Sequence, residues 1–303
     1  MNNKIYEYVV VGAGFSGLYL ARHLNKALVL EKSRGVGGRM ATRRDGTFTF
    51  DHGAQFVKND ELMKSLITDW SEKGLLQDLG ENRFCAKGGM TKLAKDLAAQ
   101  LNIELERKVS KISYQDSFWT IEDDGSHSWK AQNIILTAPV PQIVELLDKS
   151  SIHYPQDLKS VIYTKALVFI IKGDFGDKDS PYQELSTPSI FSISSQKLKG
   201  TSSSNAQVVV MKADWSEKHF EESDEAILEK ARVILSQELP ELTVQDLQLK
   251  KWRYAFPQNI YHKPFLSLDH GLYLSGDGFS EGNLNGALKS ASSLLNVIIN
   301  VKE

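Results

Sequence analysis

The segment Val9-Val10-Val11-Gly12-Ala13-Gly14-Phe15-Ser16-Gly17 constrains this chain more than any other. It sets Gly-x-Gly-x-x-Gly between an apolar strand, Tyr6 to Val11, and a helix, Phe15 to Leu24, with a second strand following from Ala27 to Glu31. In such a β-α-β unit Gly12 allows the tight turn, Gly14 lets a pyrophosphate approach the backbone, and Gly17 lets helix and strand pack closely. The helix start offers unbonded N–H groups, those of Phe15 and Ser16 among them, and a partial positive charge to the anion. Glu31 lies 19 residues after Gly12, where a carboxylate can accept ribose hydroxyl hydrogen bonds and would repel a 2′-phosphate. The glycines alone would be weak evidence, but strand, helix and acid in register specify a dinucleotide site.

Length and charge narrow the partners. At 303 residues the chain has room for two intertwined lobes. Its 36 Lys plus Arg against 38 Asp plus Glu leave no global positive field for nucleic acid or an anionic membrane, so small-molecule partners are expected. The single cysteine, Cys85, cannot form an internal disulfide and fits a reducing compartment. No leader-like apolar stretch opens the sequence, and no apolar run is long enough to span a bilayer, so a cytoplasmic location is expected. His-Glu-x-x-His, Gly-x-Ser-x-Gly and Cys-x-x-Cys are all absent, which removes the usual zinc, serine-hydrolase and dithiol chemistries, and no metal is expected.

Further along, Asn59 and Asp60 provide helix-start chemistry ahead of an apolar face made by Met63, Leu66, Ile67 and Trp70, and Gly74 stops it. Met90, Leu93, Leu97 and Leu101 repeat the helical spacing, and residues 105–137 read as a small meander broken at Asp116-Ser117 and Asp123-Asp124-Gly125. Ile134 to Thr137, ending at Ala138-Pro139, reads as a strand returning to the first sheet. Residues 166–172, 208–213 and 247–254 read as strands of the other lobe, 224–239 as a helix, and the serine-rich stretch 186–205 as a surface loop. Leu272 to Ser275 is a strand, Gly276-Asp277-Gly278 a turn, and a helix runs from Leu284 to Val301.

Gly37-Gly38-Arg39, a second glycine turn with a guanidinium able to take a phosphate, follows Glu31 closely. The set of Gly-x-Gly-x-x-Gly, acid and Gly-Gly-Arg resembles the flavin-containing amine oxidase superfamily, in which the pair cradles FAD. Leu274-Ser275-Gly276-Asp277 and Gly282-Asn283-Leu284-Asn285-Gly286-Ala287-Leu288 resemble its last flavin motif. Gly38 to Arg44, Asp51-His52-Gly53-Ala54-Gln55-Phe56 and Lys251-Trp252-Arg253-Tyr254-Ala255 are similar to the renalase-like branch, bacterial members included. His52 departs from that branch, where leucine is expected, and reads as a packing or hydrogen-bonding residue.

The resemblance implies an α/β fold, a Rossmann-type FAD-binding domain (1–57, 85–157 and 265–303) with an inserted α+β substrate domain (58–84 and 158–264). Its FAD, bound noncovalently, would touch Gly12, Gly14, Phe15, Ser16 and Gly17, then Glu31 and Lys32, and Val109. Gly38, Arg39 and Met40, the turn Gly53, Ala54, Gln55 and Phe56, and finally Gly276, Asp277, Leu284 and Asn285 complete the set. The implied reaction is oxidation of 2- or 6-dihydro-NAD(P) to NAD(P)+, by hydride transfer to flavin N5 and reoxidation by O2 to hydrogen peroxide. Such a substrate surrenders no proton, which suits a sequence without an evident acid–base constellation. Gln55, Phe56, Tyr163, Trp252, Arg253 and Tyr254 are the pocket candidates, in a monomer or homodimer. An amine or amino-acid oxidase, with Arg253 holding a carboxylate, is the alternative; a binding protein of the same fold without catalysis is a third reading.

Overall fold

A computed structural model describes residues 4–176 and 180–300, and its chain divides into two compact units. The first comprises Met1–Gly38, Ala94–Ile162 and Pro257–Glu303; the second, Arg39–Leu93 and Tyr163–Phe256.

The first unit is built on an eight-stranded sheet. The strand Ile5–Val11 lies parallel between Leu28–Glu31 on one side and Ser128–Leu136 on the other. Leu272–Leu274 extends the sheet beyond Ser128–Leu136, and Asn102–Leu105 extends it beyond Leu28–Glu31, both in parallel. The chain leaves Ile5–Val11 toward one neighbour and returns to the other, so the strand order reverses at its carboxyl end. That is where an open α/β sheet leaves a crevice for a ligand. Strands buried on both faces explain the unbroken apolar runs Tyr8 to Val10 and Leu28 to Leu30. The meander is present as Val109–Gln115, Phe118–Asp123 and Ser128–Leu136, and the last of these is also the strand that returns to pair with Ile5–Val11. The helix Phe15–His23 begins where the motif places it. The last helix, Leu284–Asn300, buries Leu288, Ala291, Leu294 and Ile298 on one face; Val301, its expected end, lies outside the described residues.

The second unit centres on a five-stranded sheet whose order is Tyr182–Glu184, Ile190–Ser195, Ala206–Met211, Tyr163–Lys172, Asp246–Pro257. Its side chains alternate with the period of a strand. Leu167, Phe169 and Ile171 join Ile227, Ala231 and Leu235 of the helix Asp224–Glu238 in one core. Ala166, Val168 and Ile170 face the other way and pack with Phe50 of the hairpin Thr42–Asp45/Phe48–Asp51.

That hairpin moves a boundary. The sequence puts 39–57 and 85–93 with the dinucleotide lobe, whereas contacts group both with the second unit. Phe48 and Phe50 complete an apolar face of the five-stranded sheet, and Arg83–Ala86 pairs with Val57–Lys58 and Leu76–Asp78. Residues 158–162 and 257–264 go the other way, with Tyr261 N–H donating to Gly278 O at 2.8 Å inside the first unit. The serine-rich stretch is a second correction. Instead of a surface loop it contains the interior strand Ile190–Ser195, with Ser192 and Ser194 only 2% exposed. Their hydroxyls are placed to donate inside the fold, so polarity there marks a buried network and not solvent.

Candidate functional site

In the first unit the two glycine turns fold against each other. Gly37 N–H donates to Ala13 O at 2.8 Å, and a Cβ on Gly38 would stand 3.4 Å from Gly14 Cα. Gly17 is obligatory for a different reason, since a Cβ there would sit 2.0 Å from Gly12 O. Gly14 is the helix N-cap and supplies no side-chain hydrogen bond, and a Cβ built on it meets nothing within 4 Å. Open space thus lies beside helix N–H groups that no side chain satisfies, which is the cradle a pyrophosphate fills.

Glu31 is 7% exposed at its strand end, with Oε2 accepting from Ala13 N–H at 2.7 Å and Oε1 from Ser33 N–H at 2.8 Å. Each oxygen keeps a further lone pair for a ribose hydroxyl, so the carboxylate both ties the glycine loop to the strand and offers acceptors. Val109 starts its strand two residues after Arg107, whose N–H donates to Glu31 O. Lys32 is exposed and reaches Gln142 Oε1 at 3.4 Å. Phe15 is buried in the first turn, and Ser16 Oγ donates to Ala287 O at 2.8 Å, joining the first helix to the last flavin-like motif. Asp277 and Asn285 are both buried in that motif, and the first turn of the Leu284–Asn300 helix carries no acid. These donors and acceptors fit a dinucleotide.

In the second unit the turn after Asp51 is held on Arg39–Ala41. Ala54 N–H donates to Arg39 O at 2.8 Å and His52 N–H to Ala41 O at 3.2 Å. Gly53 passes so near that a Cβ would lie 1.9 Å from Arg39 O. Met40 is fully buried, and Thr91 Oγ1 donates to its carbonyl. Arg39 donates to Ala255 O at 3.2 Å and lies over the Tyr163 ring at 5.8 Å.

Beneath the turn is a network the sequence did not reveal. Lys199, with no exposed side-chain surface, donates to Asp51 Oδ2 at 3.2 Å and to Gln55 Oε1 at 2.8 Å. Asp51 also accepts from Thr201 Oγ1, Thr42 Oγ1 and Met90 N–H. Gln55 Oε1 takes Ser194 Oγ and Gln196 Nε2 as well, while its Nε2 donates to Asp51 O and Gly53 O. The Gln55 amide is therefore committed inside the protein, and the sequence expectation of a substrate-facing Gln55 is not what its geometry offers. The only trace in sequence was polar residues recurring through 192–202 between strands.

The aromatic candidates each take an aromatic partner, in three separate pairs. Trp252 Nε1 donates to His52 O at 2.8 Å, and the two rings stack with centroids 5.5 Å apart. Tyr163 and Tyr254 meet edge to face at 6.0 Å, and Phe56 meets Tyr182 at 5.1 Å. Arg253 does not join them. Leu247 and Leu249 of the Asp246–Pro257 strand join the helix-side core, and Lys251 and Arg253 lie over the Phe220 ring on that side, where Arg253 pairs with Glu221 at 2.9 Å in an exposed ion pair. Burial, with Lys250 and Arg43 adding to it, lowers the His52 imidazole to about 4, and its Nδ1 is buried without a partner. Cys85, the chain's one cysteine, donates to Lys199 O, and burial raises its thiol to about 11. It is a protonated interior thiol, not a nucleophile. Among the described residues no cluster of His, Cys, Asp or Glu could hold a metal, and no helix is long and apolar enough to cross a membrane.

Comparison with known proteins agrees with this geometry. Residues 61–293 match the family described as flavin containing amine oxidoreductase, and residues 10–70 match the NAD(P)-binding Rossmann-like domain. Renalase of Mus musculus is 26% identical over 334 residues, covering 96% of this chain and 98% of renalase. Wild-type putrescine oxidase bound to putrescine superposes with a TM-score of 0.74 at 14% identity, covering 98% of this chain and 99% of that one. A triple mutant of putrescine oxidase, redesigned in cofactor binding, superposes with a TM-score of 0.76 at 13% identity, over 97% and 99% of the two chains. At those identities the shared property is the fold.

Proposed function

Since the chain belongs to the flavin-containing amine oxidoreductase family and is an FAD-dependent oxidoreductase, we propose that its reductant is a 2- or 6-dihydronicotinamide of NAD(P), which it returns to NAD(P)+. FAD when bound supplies the two-electron acceptor at N5, and O2 takes the electrons on with protons to give hydrogen peroxide. The cradle residues Gly12, Gly14, Gly17, Glu31 and Asp277 would hold that FAD without a covalent link. Phe56, Tyr163, Trp252 and Tyr254 give the nicotinamide an aromatic surface.

The observation that carries this reading is the absence of a proton acceptor suited to neutral pH on the turn. His52 stays neutral down to about pH 4, so it is a poor base, and the Gln55 amide is saturated. A dihydronicotinamide becomes aromatic on losing hydride and asks only to be positioned. A protonated amine must first lose a proton.

Anaerobic mixing tests it. With 2- or 6-dihydro-NAD(P) the flavin should bleach in a fast first phase, with ordinary 4-dihydro-NAD(P)H far more slowly, and with catecholamines or simple amines not at all. Readmitted oxygen should restore the yellow form. Rapid bleaching by an amine, with none by either isomeric dihydronicotinamide, would overturn the proposal in favour of an amine oxidase.

A further inference from the structure

The hairpin Thr42–Asp45/Phe48–Asp51, with the turn that follows it, is tied to the Asp246–Pro257 strand at two ends. At one end Lys172 binds Asp45 at 2.7 Å, and Gln248 reaches the same carboxylate at 3.5 Å. At the other, His52 stacks on Trp252 and receives its indole N–H on its carbonyl. Both ends are complementary.

Between them stand Arg43 and Lys250. Arg43 is two residues from Asp45 and opposite Phe50, which faces the sheet; Lys250 is two residues from both Gln248 and Trp252. Two-residue spacing keeps each on the face of its matched neighbours, about 7 Å further along. The spacing thus sets the two cations at the same level between those ends. Both are partly buried, and neither forms an ion pair with a described residue. Burial and then Arg43 lower the Lys250 ammonium, and burial, then Lys250, with Arg43 adding to it, lower the His52 imidazole. The carboxylate within electrostatic reach of Arg43 is Asp45, which Lys172 already binds at 2.7 Å, so a half-buried like-charge pair next to a neutral imidazole is unfavourable unless a further anion completes it.

We propose that Arg43 and Lys250 form an anion subsite that holds the phosphate of the substrate, one step along the strand from the Trp252 ring. Arg43 offers a planar fork and Lys250 a point charge, a pairing suited to phosphate or pyrophosphate oxygens. The inference rests on the nicotinamide reading, because a nucleotide has its phosphate a ribose away from the ring. It makes the enzyme selective for nucleotides over the bare riboside.

The test compares 6-dihydro-NAD with 6-dihydronicotinamide riboside on the holoenzyme and on the variants Arg43→Gln and Lys250→Gln. For each variant KM for the dinucleotide should rise about tenfold with kcat within twofold, and the preference for nucleotide over riboside should shrink by the same factor. Lys250→Gln alone carries the test if Arg43→Gln does not fold. A nucleotide preference as strong in the variants as in the parent overturns the subsite. If no dihydronicotinamide is oxidised, the functional reading has failed on its own, and calorimetry with inorganic pyrophosphate decides the subsite. Binding heat seen in the parent holoenzyme and lost in the variants supports it; equal heat, or none in any, overturns it.

Discussion

The glycine cradle and the turn above Lys199 use opposite means to fix a backbone in place. The cradle is made almost wholly of main chain and of residues that lack side chains, with the Glu31 carboxylate tying the glycine loop to its strand. The Asp51–Phe56 turn is held by side chains that arrive from far along the chain: Lys199 lies 148 residues from Asp51 and Thr201 lies 150. A main-chain site must be spelled out locally, because each missing Cβ is needed at a fixed step. A side-chain site can be assembled from any strands the fold brings together. Damage should therefore spread differently in the two.

The sharpest way to break the comparison is Lys199→Met. It leaves Asp51 buried without its cation and removes one of the donors to Gln55 Oε1, which costs about 3–5 kcal/mol by urea unfolding. Replacing both charges, Asp51→Asn with Lys199→Met, should recover much of that loss, since removal of a whole buried pair is far milder than removal of half. No recovery would mean that the Asp51 contacts to Thr42, Thr201 and Met90, and not the ion pair, hold the turn.

Next in size is acid sensitivity from His52. Its imidazole titrates near 6.5 when unfolded and at about 4 when folded. Between those values the unfolded chain binds the extra proton, so stability is full above pH 6.5 and falls as the pH drops toward 4, by about 3 kcal/mol. His52→Leu should remove that slope, read as unfolding free energy against pH, while leaving the FAD dissociation constant close to that of the parent. An unaltered slope would move the acid sensitivity elsewhere.

Smallest is Glu31→Ala in the cradle. Loss of a charge-assisted acceptor should weaken FAD binding about ten- to a hundredfold, measured by fluorescence titration of the apoprotein. Because Ala13 and Ser33 N–H lose the same acceptor, a modest stability loss should accompany it. Retention of FAD at parental affinity would show the ribose to be held by another group.

This contrast also explains what could be read in advance. The β-α-β unit, Glu31 and the strand returning at Ile134 were legible because their signals are local: glycine spacing, apolar runs and a proline stop. Lys199 was not, since a lysine among serines has the composition of a solvated loop until strand pairing turns the stretch inward. Arg253 was misplaced for a simpler reason. It adjoins Trp252 on a strand, and adjacent residues point to opposite faces, so the two could never have shared one pocket wall. Alternation was visible in sequence; the identity of the face turned to the hairpin was not.

The hydrogen bond from Ser16 to the carbonyl of Ala287 spans 271 residues. A ribosome makes Ser16 271 residues before Ala287, so while that stretch is being synthesised the hydroxyl has no such partner to meet. The strand Ile5–Val11 likewise waits for Ser128–Leu136 before it is flanked on both sides. The nascent chain can thus carry a complete fingerprint for a dinucleotide and still be unable to keep one. Flavin retention becomes a report that synthesis has passed the helix Leu284–Asn300, and termination before Leu284 should yield a colourless product.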